Sequence, residues 1–338
     1  MGGAMASPMI PPAAAPDFLA AHGWEGAEIL PLAGDASFRR YFRVVRGDER
    51  AVLMDAPPEH EDIGPFLTVA GHLLDRGFAP PRPLAVDRVK GLLLLEDFGD
   101  DRMGPYLAAH PEREEEIYGA AVDILARLAA ERAPDDLPLY DEAAMTREVM
   151  LFPEWYAPAL GIEADEESYM AAWRGVWGGV LEIVGKNPVM VLRDYHADNL
   201  MVLPGRSELG LLDFQDALAG HPAYDLESLL QGSGRYDVPA ALEDAMIARY
   251  CERANVADPD LFRAHYEILG AQRNTKILGI FTRLWKRDGK AHYRALQPRV
   301  WSALERNLAH PALAPVRAWF DAHVAPDKRA AAWAEYAE

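Results

Sequence analysis

Between residues 189 and 214 the chain lays down three short apolar runs, 189–192, 200–203 and 209–214, and interrupts them with polar residues at fixed intervals. Runs this short, bounded by turn residues, read as strands, and Pro-Gly-Arg-Ser at 204–207 reads as the turn before the third. Asp194 and Asn199 then fall on a loop between strands, five positions apart. Asp213 falls inside the third apolar run, where a carboxylate without a partner would carry a large desolvation cost. A cation beside it is the economical expectation. This stretch is the most constraining in the chain, because strand-like runs set Asp194, Asn199 and Asp213 at fixed spacings.

Taken singly, each of the three polar residues is as readily a turn residue bonded to its own backbone. Together they match a chemical requirement. Phosphoryl transfer to an alcohol needs a carboxylate beside the attacking hydroxyl and oxygen ligands that hold Mg²⁺ against nucleotide phosphates. In the kinase pattern H-R-D-L-x-x-x-N the Asp is the base, the Asn five positions on is a metal ligand, and another metal-binding Asp follows the next strand. Asp194, Asn199 and Asp213 keep that arrangement, so an ATP- and Mg²⁺-dependent kinase is the leading expectation.

At 338 residues the chain exceeds one core's comfortable size, and two lobes are expected. Half the residues are hydrophobic, yet no uninterrupted apolar run approaches the ~18 residues of a membrane span. The formal charge of −19 disfavours nucleic acid and anionic membrane surfaces, and would attract a polycationic ligand. Cys251 is the single cysteine, which excludes an internal disulfide framework and suits a reducing cytoplasm; the residue itself reads as a small buried hydrophobe. Residues 1–16 are rich in Ala, Pro and Met and lack the basic start of a signal peptide; they read as a disordered tail.

Residues 38–45 and 51–54 read as a hairpin turning at Gly47, preceded by a small-residue loop, Gly34-Asp-Ala-Ser, whose backbone N–H groups could lie over phosphates. Residues 62–75 have helical spacing, and Leu92-Leu-Leu-Leu is a buried strand running into Glu96-Asp-Phe-Gly, where a hinge between lobes belongs. Helical patterning then dominates over 117–128, 147–155 and 169–184, and after the hairpin over 224–230, 239–253, 261–285 and 293–308. The expected architecture is α+β and two-lobed. Residues 17–98 would form a small nucleotide-binding lobe with an antiparallel sheet and a helix; residues 99–338 would form a larger, mainly helical lobe carrying the catalytic β-hairpin.

In this order of parts the chain resembles the aminoglycoside phosphotransferase-like kinases, which share the protein-kinase fold, over about residues 32–308. Within that family the strings Gly-Asp-Ala-Ser-Phe-Arg-Arg-Tyr-Phe-Arg at 34–43, Met-Asp-Ala-Pro-Pro at 54–58, Leu-Leu-Glu-Asp-Phe-Gly at 94–99, Leu-Arg-Asp-Tyr-His-Ala-Asp-Asn at 192–199, Leu-Asp-Phe-Gln-Asp at 212–216 and Gly-Ile-Phe-Thr-Arg at 279–283 look most like the anomeric kinases of bacterial cell-wall recycling. Those enzymes phosphorylate N-acetylmuramate and N-acetylglucosamine at C1. The resemblance implies that Asp194 is the base and that Asn199 and Asp213 bind Mg²⁺. It also implies that Gly34, Asp35, Ala36, Ser37 and Phe38 cover ATP, that the backbone of Glu96 to Phe98 meets adenine, and that the reaction is cytoplasmic salvage of an amino sugar.

Two departures stand out. Kinases of this fold carry a strand Lys on the phosphates, but the first Lys here is Lys90. Arg39, Arg40 and Arg43 are the nearest substitutes, each also readable as a solvated strand edge; Arg43 is taken as the ATP-side candidate. Leu192-Arg193 also replaces the usual His-Arg before the base. Asp225 reads as a helix cap, with the family implying support of the catalytic loop. His196 and Arg273 are acceptor-side candidates; His196 also reads as a loop His facing solvent or a neighbouring carbonyl, residues 273–276 also as an exposed helix face or ion pairs with the many acids, and Trp173 and Trp177 as core at helical spacing. The rival expectations are a kinase of the same fold acting on an aminoglycoside, choline or homoserine, and a nucleotide-binding regulator that has lost turnover.

Overall fold

Alternating burial in the early strands and continuous burial in the later one build a five-stranded antiparallel sheet whose spatial order is Glu28–Gly34, Arg40–Arg46, Glu49–Asp55, Leu92–Glu96, Pro83–Asp87. The computed structural model describes residues 9–34, 38–206, 208–232, 236 and 238–336. Two compact units emerge: Met1–Arg102 with Leu200–Asp216, and Met103–Asn199 with Ala217–Glu338.

The smaller unit runs α1 (Ala15–Ala21), β1 (Glu28–Gly34), β2 (Arg40–Arg46), β3 (Glu49–Asp55), α2 (Gly64–Asp75), β4 (Pro83–Asp87) and β5 (Leu92–Glu96). The β2–β3 hairpin turns at Gly47 as expected, with Arg46 paired to Glu49. One sheet face, Phe42, Val44, Ala51, Leu53, Leu92 and Leu94, packs on Ala15, Phe18 and Leu19 of α1. That packing corrects the expected tail: residues 9–16 are described, and α1 starts within them at Ala15, which is fully buried. Ala and Pro hid a short helix whose two large apolar residues belong to the core. β1 and β4 also went unread, because Pro31 and Pro83 argue against strands. Both are edge strands, where a missing N–H costs no ladder bond.

The larger unit holds α3 (Met103–Ala109), α4 (Glu114–Leu128), α5 (Glu142–Val149), α6 (Ala157–Ala159), α7 (Glu166–Lys186), α8 (Ala223–Gln231), α9 (Ala240–Arg253), α10 (Pro259–Lys286), α11 (Gln297–Leu308) and α12 (Ala314–His323). Trp173 and Trp177 of α7 are fully buried, as their spacing predicts. α10 is the central element, packed by α5, α8 and α11. Its residues Gln272, Arg273, Asn274 and Thr275 are buried, which corrects the exposed-face reading of 273–276 and leaves ion pairing with acids, seen at Arg273–Glu227 and Lys276–Glu148. A helix surrounded by neighbours must find polar partners inside for polar residues on any side. Gly279 lets α10 come close to the α5 segment, since a Cβ there would lie 2.4 Å from the Leu151 carbonyl oxygen. At that crossing the helix expected over 147–155 gives way to a π-helical turn, Phe152–Tyr156.

The run 189–214 is divided between the units. β6 (Val189–Val191) pairs with β9 (Leu218–Gly220) in the larger one. β7 (Leu200–Val202) pairs with β8 (Leu209–Leu211) in the smaller one, where Leu211 N–H donates to the Ala79 carbonyl.

Candidate active site

Asp194 lies on the loop after β6, and that loop is tied at almost every residue. Arg193 has a φ of 70°, a left-handed conformation uncommon for a residue with a Cβ. Its N–H and that of Leu192 donate to the Asp225 carboxylate at 2.9 and 2.6 Å. Asp225 therefore serves the loop and does not cap α8, in which it is the third residue. Burial pushes the Asp225 carboxyl up to about 7, against the two N–H groups, which favour its charged form. Beyond Asp194 the backbone coils: His196 N–H donates to the Asp194 carbonyl, and Asn199 N–H to the His196 carbonyl. The Asn199 side-chain amide also donates to the Asp194 carbonyl, at 2.9 Å. Tyr195 anchors the loop from below through its hydroxyl on the Ala121 carbonyl, 2.8 Å away. Tyr236 donates to the Asp198 carboxylate. Leu192, standing where His was expected, is buried. Asp194 is half-buried, and His196 is buried.

Behind this loop an ion cluster joins four elements. Glu148 of α5 accepts from Arg193 at 3.0 Å and from Lys276 of α10 at 2.9 Å, both on Oε1. Tyr140 donates to Oε2 at 2.6 Å, and Lys276 also donates to the Tyr224 hydroxyl of α8 at 3.1 Å. Burial alone would push the Glu148 carboxyl up; Lys276 and Arg193 outweigh it and hold the group below the ordinary glutamate range. Sequence reasoning missed Glu148. The available signal was an acid on the buried face of an amphipathic helix, in step with Ala144, Met145 and Val149. Arg273 is 4% exposed and faces Glu227 at 3.8 Å. Burial lifts the Glu227 carboxyl to about 8, with Arg273 pulling the other way.

In the smaller unit Asp213 is the second residue after β8, at a φ of 57°. This corrects the expectation of a carboxylate inside an apolar strand: the strand ends at Leu211, and the Asp213 side chain is 34% exposed. The cation beside it here is a guanidinium. Asp213 Oδ1 lies 3.3 Å from the Arg39 guanidinium and accepts from Gln215 at 2.8 Å. Phe214 turns inward against Phe66, with ring centroids 5.0 Å apart.

Gly34 ends β1 opposite Arg40, while Asp35, Ala36 and Ser37 lie outside the described residues. Phe38 is exposed, with its N–H on Glu61 at 3.0 Å and its ring stacked on His60. Arg43 is engaged in the ground structure of the sheet. Its guanidinium lies 2.8 Å from Asp97 and 2.9 Å from Asp100 and donates to the Gly99 carbonyl, and the Asp100 hydrogen bond leads the effects that raise its pKa above the ordinary arginine value. Two carboxylates already pair with it, which weakens its expected place on ATP. Glu96 ends β5 and pairs with Arg206 at 3.1 Å. The Phe98 ring covers Gly210, where a Cβ would come within 2.7 Å of it.

Among the described residues no group of three or more His, Cys, Asp or Glu side chains forms a ready cage for a metal. Mg²⁺ uses one or two protein oxygens and takes its other ligands from phosphates and water. Each candidate ligand, taken within its own unit, offers an oxygen: Asp213 has a carboxylate, and the bond from the Asn199 amide nitrogen to Asp194 leaves its amide oxygen as the donor end.

Residues 28–265 match the phosphotransferase enzyme family. The N-acetylmuramate/N-acetylglucosamine kinase of Pseudomonas aeruginosa is 39% identical over 87% of this chain and 88% of its own length. A protein of the same name from Caulobacter vibrioides is 36% identical over 92% of this chain and 96% of its own. Among solved structures, a choline/ethanolamine kinase family protein from Mesorhizobium loti superposes with a TM-score of 0.59 at 17% identity, over 88% of this chain and 94% of that one. The last likeness establishes a shared fold.

Proposed function

This chain belongs to the phosphotransferase enzyme family and acts on an alcohol group, and from that premise we propose that it moves the γ-phosphoryl group of ATP to the anomeric hydroxyl of N-acetylmuramate and N-acetylglucosamine. The observation that carries the sugar assignment is the identity to relatives of that name across nearly their whole length. The loop geometry supports the chemistry. Asp194 orients the C1 hydroxyl and accepts its proton as the sugar oxygen bonds to the γ-phosphorus and the bond to ADP breaks. Mg²⁺, when bound, neutralises charge on the phosphates, and Asn199 and Asp213 are the residues that would hold it. Gly34 to Phe38 and the backbone of Glu96 to Phe98 are assigned to ATP. Of the acceptor-side residues this reading keeps His196, on the loop itself; the burial of Arg273 against Glu227 suits a role inside the fold.

We place the reaction in the cytoplasm, where ATP is supplied; among the described residues no helix is long and apolar enough to cross a membrane. The charge of −19 keeps an aminoglycoside acceptor in the comparison. The test is ADP release with N-acetylmuramate, N-acetylglucosamine, kanamycin, choline and homoserine, followed by phosphorus NMR of the product. A sugar 1-phosphate is expected. Turnover with kanamycin, choline or homoserine alone would refute the sugar assignment while leaving a kinase. Asp194→Asn should lower kcat by about a thousandfold or more with ATP binding intact, as for loss of a base in a concerted site; near-normal turnover would remove it from that role.

A further inference from the structure

We infer that Arg39 grips the nucleotide phosphates in the place ordinarily taken by a strand lysine; the inference rests on the ATP-dependent reading above. The chemistry demands a cation there, since a polyphosphate brought beside carboxylates must be neutralised before transfer. β3 contains no lysine. Three arginines lie near the end of the nucleotide loop, and the structure separates them. Arg40 is committed to Asp55, 2.8 Å away, and to the Ile10 carbonyl. Arg43 is committed to Asp97, Asp100 and the Gly99 carbonyl, fastening β2 to the segment after β5. Arg39, the residue just before β2 and one beyond Phe38, instead turns its guanidinium to Asp213.

That partner is informative because Asp213 is the carboxylate assigned to the metal. A guanidinium 3.3 Å from it, with a side chain only 10% exposed, is a counter-ion for the carboxylate in the nucleotide-free chain. When a divalent cation takes Asp213, two cations would compete for one carboxylate, and the arriving phosphate oxygens offer the guanidinium a stronger, two-pronged acceptor. Arg39 then passes from the metal ligand to the phosphates, and the charge at Asp213 stays balanced before and after binding. A lysine on β3 could hold phosphates without being displaced from the metal ligand; an arginine at residue 39 links the two events.

Calorimetric binding to the full chain tests this without turnover. Wild type, Arg39→Ala, Arg39→Lys and Arg40→Ala are each titrated with Mg·ATP and with adenosine, and their melting temperatures are compared. Arg39→Ala should weaken Mg·ATP by about tenfold to a hundredfold, the loss of a charge-assisted phosphate contact, and leave adenosine within about twofold. Arg39→Lys should recover part of the affinity, and Arg40→Ala should bind Mg·ATP nearly as wild type does. Unchanged Mg·ATP affinity in Arg39→Ala would overturn the inference alone, as would an equal loss for adenosine, which would make Arg39 a structural residue. If Arg39→Ala melts early, Arg39→Lys decides: affinity for Mg·ATP and adenosine falling together overturns the assignment. A wild-type chain that binds no Mg·ATP would refute the kinase reading and this inference with it.

Discussion

A buried ion cluster and an exposed ion pair of nearly the same spacing do different work in this molecule. Glu148 meets Lys276 and Arg193 at 2.9 and 3.0 Å, with side chains 11%, 14% and 29% exposed. Arg206, in the turn between β7 and β8, meets Glu96 at 3.1 Å, with side chains 53% and 24% exposed. Coulomb's law makes the two alike at fixed dielectric, so the difference lies in the surroundings. Water competes for the Arg206 pair and salt screens it. Around Glu148 water is displaced by α5, α8 and α10, and each charge depends on the others. Distance therefore says little about which pair matters; burial and the number of charges stranded by a deletion say most.

The largest effect should come from breaking the buried cluster. Glu148→Ala leaves Lys276 and Arg193 in the interior without their shared counter-ion, a situation that costs about 3–5 kcal/mol. Arg193 is also the left-handed residue beside Asp194, so the variant should lose turnover beyond what its lowered stability explains. Denaturant unfolding checks the first part and kcat on the folded fraction the second. A loss below about 1 kcal/mol, the range of exposed pairs, would erase the contrast between the cluster and the exposed pair.

A second effect of intermediate size concerns pH and sharpens the role of burial. The Glu227 carboxyl lies at about 8 and the Asp225 carboxyl at about 7, each lifted first by burial. An unfolded chain releases those protons in the ordinary carboxylate range, so between that range and about pH 8 the folded state binds more protons than the unfolded one. Their contribution to stability is then complete at acid pH and falls as pH rises. Glu148, held low by Lys276 and Arg193, works in the opposite direction at acid pH. Glu227→Gln should flatten the fall between pH 5 and 8 by on the order of 1–3 kcal/mol, measured as the shift in urea midpoint at the two pH values. An unchanged slope would mean that Glu227 is not the group responsible.

The same contrast explains what could be read from the sequence. β5 and β6 were legible because buried strands are continuous apolar runs, and α4, α7, α9 and α11 because their stripes repeat. Proline at residues 31 and 83 concealed the edge strands, and Ala-Pro composition concealed α1, whose evidence is two large residues buried by a distant sheet. At the candidate site, spacing placed Asp194 and Asn199 on one loop after a strand. It could not disclose that Asp225 reaches back 33 positions to hold Leu192 N–H, or that Glu148 lies beneath Arg193. Those are tertiary facts, decided by which helix faces which. Nor could adjacency rank Arg39, Arg40 and Arg43, because their partners at residues 213, 55 and 97 are set by strand order rather than by local pattern.

The smallest effect should come from the exposed pair. Arg206→Ala removes a guanidinium that is half in water from a carboxylate that can rehydrate on its departure, so stability should change by about 0.2–1 kcal/mol. The change should shrink further in molar salt, where the Debye length falls to about 3 Å. Because Glu96 ends the strand whose backbone is assigned to adenine, nucleotide affinity is the sharper readout. If Glu96 contributes only its backbone there, Arg206→Ala should leave adenosine affinity within about twofold. A salt-resistant loss above 2 kcal/mol, or a marked fall in adenosine binding, would show that the pair positions the β5 end after all, and exposure would then be a poor guide to which of this chain's ion pairs carry weight.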